Sequence, residues 1–282
     1  MEHISIFARP SYLGNHYPRH FKEEYTIRLG PQIRGFDIAE YLGAKINPTK
    51  GWEDDLCIYV KPKHLNRVRD GDWVDTSDGN WLLEALKTRP GIKVIAHSKI
   101  SYRYYKEKLK NEIVYLPQQH LNWENIKRDR KEITTAGYIG SPSPLSIKIY
   151  NEIENRLKES GFDFITCFNY QSRQDAVNFY KKIDLLVIGV WEPEDHGLYK
   201  TPTKMINAAS FGVPSIAYPM IGYEEFEGYY IRINNNDEIV VEAEKFKDKD
   251  YYNKWSKKII KKADEYHISK IAQRYNNLLL VK

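Results

Sequence analysis

The sequence predicts an α/β protein of two domains, each a parallel sheet with helices on both faces. Three observations predict it. Short apolar runs of strand length alternate with stretches of helical spacing along the chain, the order expected of parallel strands joined by crossover helices. The alternation pauses at Gln118 to Arg130, a polar run without an apolar face, which reads as an interdomain linker. A length of 282 residues is enough for two modest cores. The expected divisions are 1–125, 132–250, and a helix over 251–282 that packs back toward the first domain.

In order, His3 to Ala8 is a strand, followed by a long polar loop. Gly35 to Leu42 has helical spacing, with Phe36, Ala39 and Leu42 on one face. Strands at Asp55 to Val60, Asp72 to Thr76, Lys93 to His97 and Ile113 to Leu116 alternate with helices at Trp81 to Lys87 and Ile100 to Leu109. The second alternation runs through a strand at Ile133 to Gly140, a helix at Leu145 to Leu157, and a strand at Phe162 to Phe168. A helix at Gln174 to Ile183 and a strand at Asp184 to Val190 follow. The last pieces are a strand at Tyr229 to Ile233, a helix at Asp237 to Phe246, and a charged helical stretch from Tyr251 onward.

Composition narrows the class. Apolar residues at 41% with charged residues at 29% describe a folded, soluble chain. No apolar run approaches the roughly 20 residues that span a bilayer. The first residues lack the basic-then-apolar order of a signal peptide. Cys57 and Cys167 lie in separate apolar strands and read as buried thiols. A cytoplasmic protein is expected. A net charge of +5 suits an anionic partner such as a nucleotide, a phospholipid surface or a nucleic acid. No His/Cys cluster has metal-ligand spacing, so no metal site is assigned. A divalent ion on donor phosphates is compatible with the sequence without being indicated by it.

The most informative stretch runs from Tyr199 to Ala217. It reads as loop, helix, tight turn and strand, with Pro202 in the first helical turn, Thr201 or Thr203 as cap, and Gly212 just past the end. Lys204 falls in the first turn and Asn207 one turn later on the same face. A lysine at a helix N-terminus beyond a parallel strand suits an anion, phosphate above all. A solvated lysine on a surface helix is the plainer alternative.

Lys-Met-Ile-Asn-Ala-Ala-Ser-Phe-Gly-Val-Pro-Ser-Ile-Ala, residues 204–217, resembles the donor-binding segment of GT-B glycosyltransferases, in particular the retaining family four. That family's pattern is Lys-Leu-x-Glu-Ala-Met-Ala-x-Gly-x-Pro-Val-Ile-Ala. Asn207 stands where its ribose-contacting glutamate stands, and Tyr199 where the first acid of its Glu-x7-Glu pair stands, so both acids are replaced. A second stretch, Lys-Val-Ile-Ala-His-Ser, then a helix, then Ile-Val-Tyr-Leu-Pro-Gln-Gln-His, is similar to the end of a GT-B N-terminal domain. The resemblance implies two Rossmann-like domains with the active site in the interdomain cleft, the acceptor on the first domain and a nucleotide-sugar on the second.

On that frame, Gly140 and Ser141 are expected to admit a phosphate to the backbone. Tyr170 would stack on the nucleobase. Arg173 would reach the diphosphate or pair with Asp175. Glu194 and His196 would hold sugar hydroxyls or a leaving phosphate, unless they belong to a solvated acidic loop. Tyr199 counts among the donor-binding positions, and Thr203, Lys204 and Asn207 would face the diphosphate and ribose. Asp75 and Asp78 are the general-base candidates by position. Gly14, His16, Arg19 and His20 are candidates for acceptor contact, while His97 and His120 read as structural. The implied reaction is sugar transfer from a nucleotide-sugar, UDP-sugar by default, to a hydroxyl of a glycan, a lipid-linked sugar or a hydroxymethylated DNA base. No cofactor and no obligatory protein partner are expected. The alternative from another class is a non-catalytic GT-B-like protein that binds a nucleotide or glycan, which the replaced acids permit.

Overall fold

The computed structural model describes residues 4–8, 30, 32–77, 81–128, 130, 132–140, 144–170, 172–189 and 201–280. They fall into two compact units. The first holds the chain up to Gln119 and the terminal segment from Ile268; the second holds His120 to His267 apart from a few residues before Pro202.

The first unit is a six-stranded parallel sheet in the order β2-β1-β3-β4-β5-β6. Its strands are β1 (Ile4–Ala8), β2 (Lys45–Ile46), β3 (Leu56–Val60), β4 (Trp73–Asp75), β5 (Lys93–Ala96) and β6 (Ile113–Tyr115). Ile6, Ile58, Val74, Val94 and Ile95 are buried, as expected of parallel strands covered on both faces. A π-helix (Gln32–Phe36) leads into α1 (Asp37–Leu42), and α2 (Leu83–Lys87) and α3 (Lys99–Lys108) connect later strands. A reciprocal cap starts α3: Ser98 Oγ accepts from Ser101 N, and Ser101 Oγ accepts from Ser98 N. The chain turns from one side of β1 to the other between β2 and β3, so the sheet's switch point lies between β1 and β3.

The second unit is a five-stranded parallel sheet, β11-β10-β9-β7-β8. The strands are β7 (Thr135–Ile139), β8 (Asp163–Cys167), β9 (Leu185–Ile188), β10 (Ser215–Ala217) and β11 (Ile231–Arg232). Its helices are α4 (Pro144–Glu159), α5 (Arg173–Lys182), α6 (Thr203–Ser210), α7 (Glu238–Lys245) and α8 (Lys249–Ala263). Tyr138, Tyr150, Leu185, Val187 and Ile216 form the centre of its core. The switch point here lies between β7 and β9.

Several expectations change. Pro202 takes the cap position of α6 instead of its first turn and offers no side-chain acceptor there. The single C-terminal helix is two: α8 ends at Ala263, a 3-10 turn covers Asp264–Tyr266, and α9 (Ile268–Asn276) belongs to the first unit. The break has no Gly or Pro behind it. Tertiary contacts make it: Tyr266 O accepts from His120 N at 2.9 Å, and His267 Nε2 lies 2.9 Å from Trp123 O. Local propensity yields to such contacts. The run read as a linker is, from His120 on, hydrogen-bonded into the second unit. Leu121 N donates to Asn207 Oδ1, and Asn122 Nδ2 donates to Ser210 O. Cys57 is buried as expected and Cys167 only partly, and neither is in a disulfide.

Candidate functional site

In the second unit, the elements that flank the switch point bring part of the expected set together. Gly140 follows β7. A Cβ at Gly140 would collide with the Tyr138 hydroxyl, so only glycine lets the chain leave the strand so close to that ring. Thr203 opens α6, which follows β9, and Lys204 is the next residue. The Lys204 ammonium lies 5.6 Å from the centre of the Tyr138 ring, a cation–π distance. Tyr138 stacks on Tyr150 with centroids 3.9 Å apart, and burial pushes its phenol up to about 12. Tyr180, fully buried, donates from its hydroxyl to Lys204 O at 3.3 Å. Burial raises its pKa well above the ordinary phenol value, with Tyr170 adding to the rise and the Asn207 side chain opposing it.

The result is a helix N-terminus and an ammonium group at the carboxyl edge of the sheet, backed by buried phenols that stay neutral. Open parallel sheets bind ligands at this edge, and the helix end favours an anion. Lys204 and Gly140 thus gather around Tyr138, and Tyr170 is near enough to add to the rise in its pKa, behind burial. Tyr138 itself was not singled out from the sequence. The signal was present: a tyrosine two residues before the glycine that follows β7.

Two expected donor contacts are turned elsewhere. Asn207 is buried and its Oδ1 accepts from Leu121 N at 3.1 Å. Arg173 lies 4.4 Å from the Trp123 ring centre, donates to Leu121 O at 2.7 Å and forms a two-pronged pair with Glu124. That hydrogen-bonded pair lowers the Glu124 pKa. Arg173 does not pair with Asp175, because Asp175 caps α5 reciprocally with Ser172. Ser141, Glu194, His196 and Tyr199 lie outside the described residues, as do Asp78, Gly14, His16, Arg19 and His20.

In the first unit, Asp75 ends β4 with no solvent exposure. Its Oδ2 accepts from Arg34 Nε at 2.8 Å and from the Tyr275 hydroxyl at 3.2 Å, and its Oδ1 accepts from Ser77 N at 2.9 Å. Both carboxylate oxygens already accept from protein donors, and the group has no solvent exposure, which ill suits a general base. As it stands, Asp75 is the counter-ion of Arg34, whose pKa is raised because Asp75 and Tyr275 outweigh the opposing effect of burial. His97 is buried at the end of β5. Among the described residues, no group of three or more His, Cys, Asp or Glu could hold a metal ion, and no helix is long and apolar enough to cross a membrane.

His120 is buried and its Nδ1 accepts from Asn122 N at 3.2 Å, which fixes a neutral ring. Burial, and then the His267 ring 5.4 Å away, push its pKa down to about 3, against a weaker pull from Asp264. The unfolded chain therefore binds a proton that the folded one refuses between about pH 6.5 and 3. Stability should fall as the pH drops through that window. In urea titrations at a series of pH values, His120→Gln should flatten the slope; an unchanged slope would assign it to other groups.

No family model and no curated protein matches the chain. Solved structures do. A glycosyltransferase from Rickettsia africae ESF-5 superposes with a TM-score of 0.54 at 12% identity, covering 99% of each chain. AviGT4, a glycosyltransferase involved in avilamycin A biosynthesis, gives 0.51 at 10% identity over 99% of this chain and 97% of its own. TarM gives 0.54 at 14% identity over 82% of this chain and 51% of its own. The chain has the GT-B fold. It spans about half the length of TarM and nearly all of the other two. At these identities the likeness is one of fold.

Proposed function

We propose that this GT-B chain is a glycosyltransferase that takes its sugar from a nucleotide-sugar, with a UDP-sugar as the default donor. The observation that carries the reading is the pairing of Gly140 and the α6 N-terminus, with Lys204, on either side of the second sheet's switch point. In the reaction, the acceptor oxygen bonds to the anomeric carbon as the bond from that carbon to the diphosphate oxygen breaks. The acceptor proton passes to a base. The negative charge grows on the departing diphosphate, where an ammonium group and helix N–H groups are already oriented, so they stabilise the transition state more than the ground state. Tyr170 supplies a face for the nucleobase. The acceptor is a hydroxyl of a glycan or lipid-linked sugar, or of a hydroxymethylated DNA base. Duplex binding that weakens steeply with salt would select the DNA acceptor.

A second reading, a GT-B-like protein that binds a nucleotide or glycan without turnover, draws on one observation. Asn207 Oδ1 and the Arg173 guanidinium are engaged by the 121–124 segment. Donor hydrolysis separates the two readings.

A thermal-shift panel of UDP-, GDP-, ADP- and CMP-sugars tests the donor. Binding raises the melting temperature by mass action. One donor should shift the wild type, and Lys204→Ala should lose that shift while keeping its ligand-free melting temperature within a few degrees. Since the lysine contributes a charge-assisted contact, the mutant's affinity should drop about tenfold or more. A donor shift that survives in Lys204→Ala would remove Lys204 from the site, and silence across the whole panel would remove the transferase reading.

A further inference from the structure

The first sheet carries a second feature at its own carboxyl edge. Gly35 of the π-helix sits so close to β1 that a Cβ would collide with Ala8, and the Val60 side chain lies just beyond. Ala8 and Val60 are the last residues of β1 and β3, so the π-helix crosses the switch point of the sheet. Its neighbour Arg34 is fully buried there. Asp75 takes one edge of the guanidinium, at 2.8 Å from Nε and 2.7 Å from Nη2, and Leu116 O accepts from Nη2 at 2.9 Å. Nη1 is buried and, among the described residues, has no hydrogen-bond partner.

Three further facts converge on the same spot. Helices of the π type are rare and recur at functional sites. Ser77, whose N–H holds Asp75, has φ of +50°, a strained value for a residue with a side chain. A Cβ on Gly30 would strike that same Ser77 hydroxyl. A buried orphan donor calls for a physical account, and here Asp75 and Leu116 O fix the guanidinium plane so that the Nη1 N–H groups keep one direction.

We propose that Arg34 Nη1 is the anchor for an oxyanion, a phosphoryl or carboxylate oxygen of a small ligand that enters at the β1–β3 switch point. Asp75, Ser77 and Tyr275 are positioning residues that hold the guanidinium for it. An arginine that has already spent one edge on a carboxylate binds the oxyanion through Nη1 alone, so an end-on phosphate or carboxylate oxygen fits better than a two-pronged one. On the glycosyltransferase reading this ligand is either the donor's diphosphate or a charged group on the acceptor, and the arms below separate the two. The anchor itself does not require that reading.

The test uses the whole chain and no sugar nucleotide. Inorganic phosphate, pyrophosphate, glycerol 3-phosphate and glucuronate are titrated while the arginine Nε–Hε signals are followed by NMR, with Arg34 assigned from Arg34→Lys. The expected result is a saturable shift of the Arg34 signal with at least one probe, with affinity down about tenfold or more in Arg34→Lys because the directed N–H pair is lost. Pyrophosphate as the preferred probe assigns the anchor to a diphosphate. Preference for glycerol 3-phosphate or glucuronate assigns it to a single phosphoryl or carboxylate group of another molecule. If Arg34→Lys fails to fold, Tyr275→Phe serves instead. It leaves the guanidinium in place but removes one donor from its counter-ion Asp75, so the Arg34 signal should move and the anion affinity should fall by several-fold. An unchanged affinity would strike Tyr275 from the positioning residues. An Arg34 signal indifferent to all four probes in the wild type overturns the proposal. A positive result alongside a silent donor panel would leave the anchor standing and remove only the transferase reading.

Discussion

Asp184→Ala should be among the most destabilising single changes in this chain. Asp184 immediately precedes β9, has no solvent exposure and holds four donors. Arg128 Nη2 lies 2.7 Å from its Oδ1 and Arg130 Nε 3.3 Å; Thr134 N and Thr135 N lie 3.0 and 2.9 Å from its Oδ2. Removing the carboxylate leaves the Arg128 side chain, only 6% exposed, as an uncompensated buried cation and strands two backbone N–H groups. Breaking a buried pair from one side costs about 3–5 kcal/mol. Net stability of a domain is about 5–15 kcal/mol, so this is a large share of it. Thr134, Thr135 and Asp184 stand at the amino ends of β7 and β9, opposite the edge that carries Gly140 and Lys204. The urea midpoint should therefore drop sharply, while any donor affinity measured below the new transition should match the wild type. A midpoint within experimental error of the wild type would mean that water replaces the carboxylate without loss.

The two edges of each sheet also explain how much could be read in advance. Strands at Ile4, Leu56, Lys93, Thr135 and Leu185 are mostly apolar because both faces are covered, and such runs are visible in any sequence. The central helix declared itself through Pro202, Gly212 and the apolar spacing between them. Gly212 has φ of +70° and a Cβ there would strike Ser256 of α8, so its place after the helix is required twice. What did not show was pairing across long separations. Arg34 looks like any arginine between Ile33 and Gly35, and its carboxylate is 41 positions away, while Tyr275 is 200 positions from that carboxylate. Asp75 read as a base because a carboxylate after a parallel strand often is one; its neighbours in space make it a counter-ion. Arg173 and Asn207 read as ligand contacts from their places after a strand and on the central helix. Their partners in the 121–124 segment lay hidden in a polar run that periodicity alone classed as linker.

Asp75→Asn should be destabilising on a similar scale, and the pair Asp75–Arg34 allows a sharper test than either residue alone. The amide keeps the shape of the carboxylate but leaves the buried guanidinium without its counter-charge, and it turns one acceptor oxygen into a donor facing Ser77 N–H or Tyr275. A loss of about 3–5 kcal/mol is expected, read as a lower urea midpoint at unchanged slope. The double replacement Asp75→Leu with Arg34→Met removes both charges together. Buried ion pairs replaced on both sides by apolar groups of similar volume are often neutral or stabilising, so the double variant should be more stable than Asp75→Asn, with a coupling energy that a four-member cycle measures. If the double variant is the less stable of the two, the pair contributes more than mutual neutralisation. Recovery of stability without recovery of the anion response would show that the fold does not need this guanidinium, and that it is kept for what binds to it.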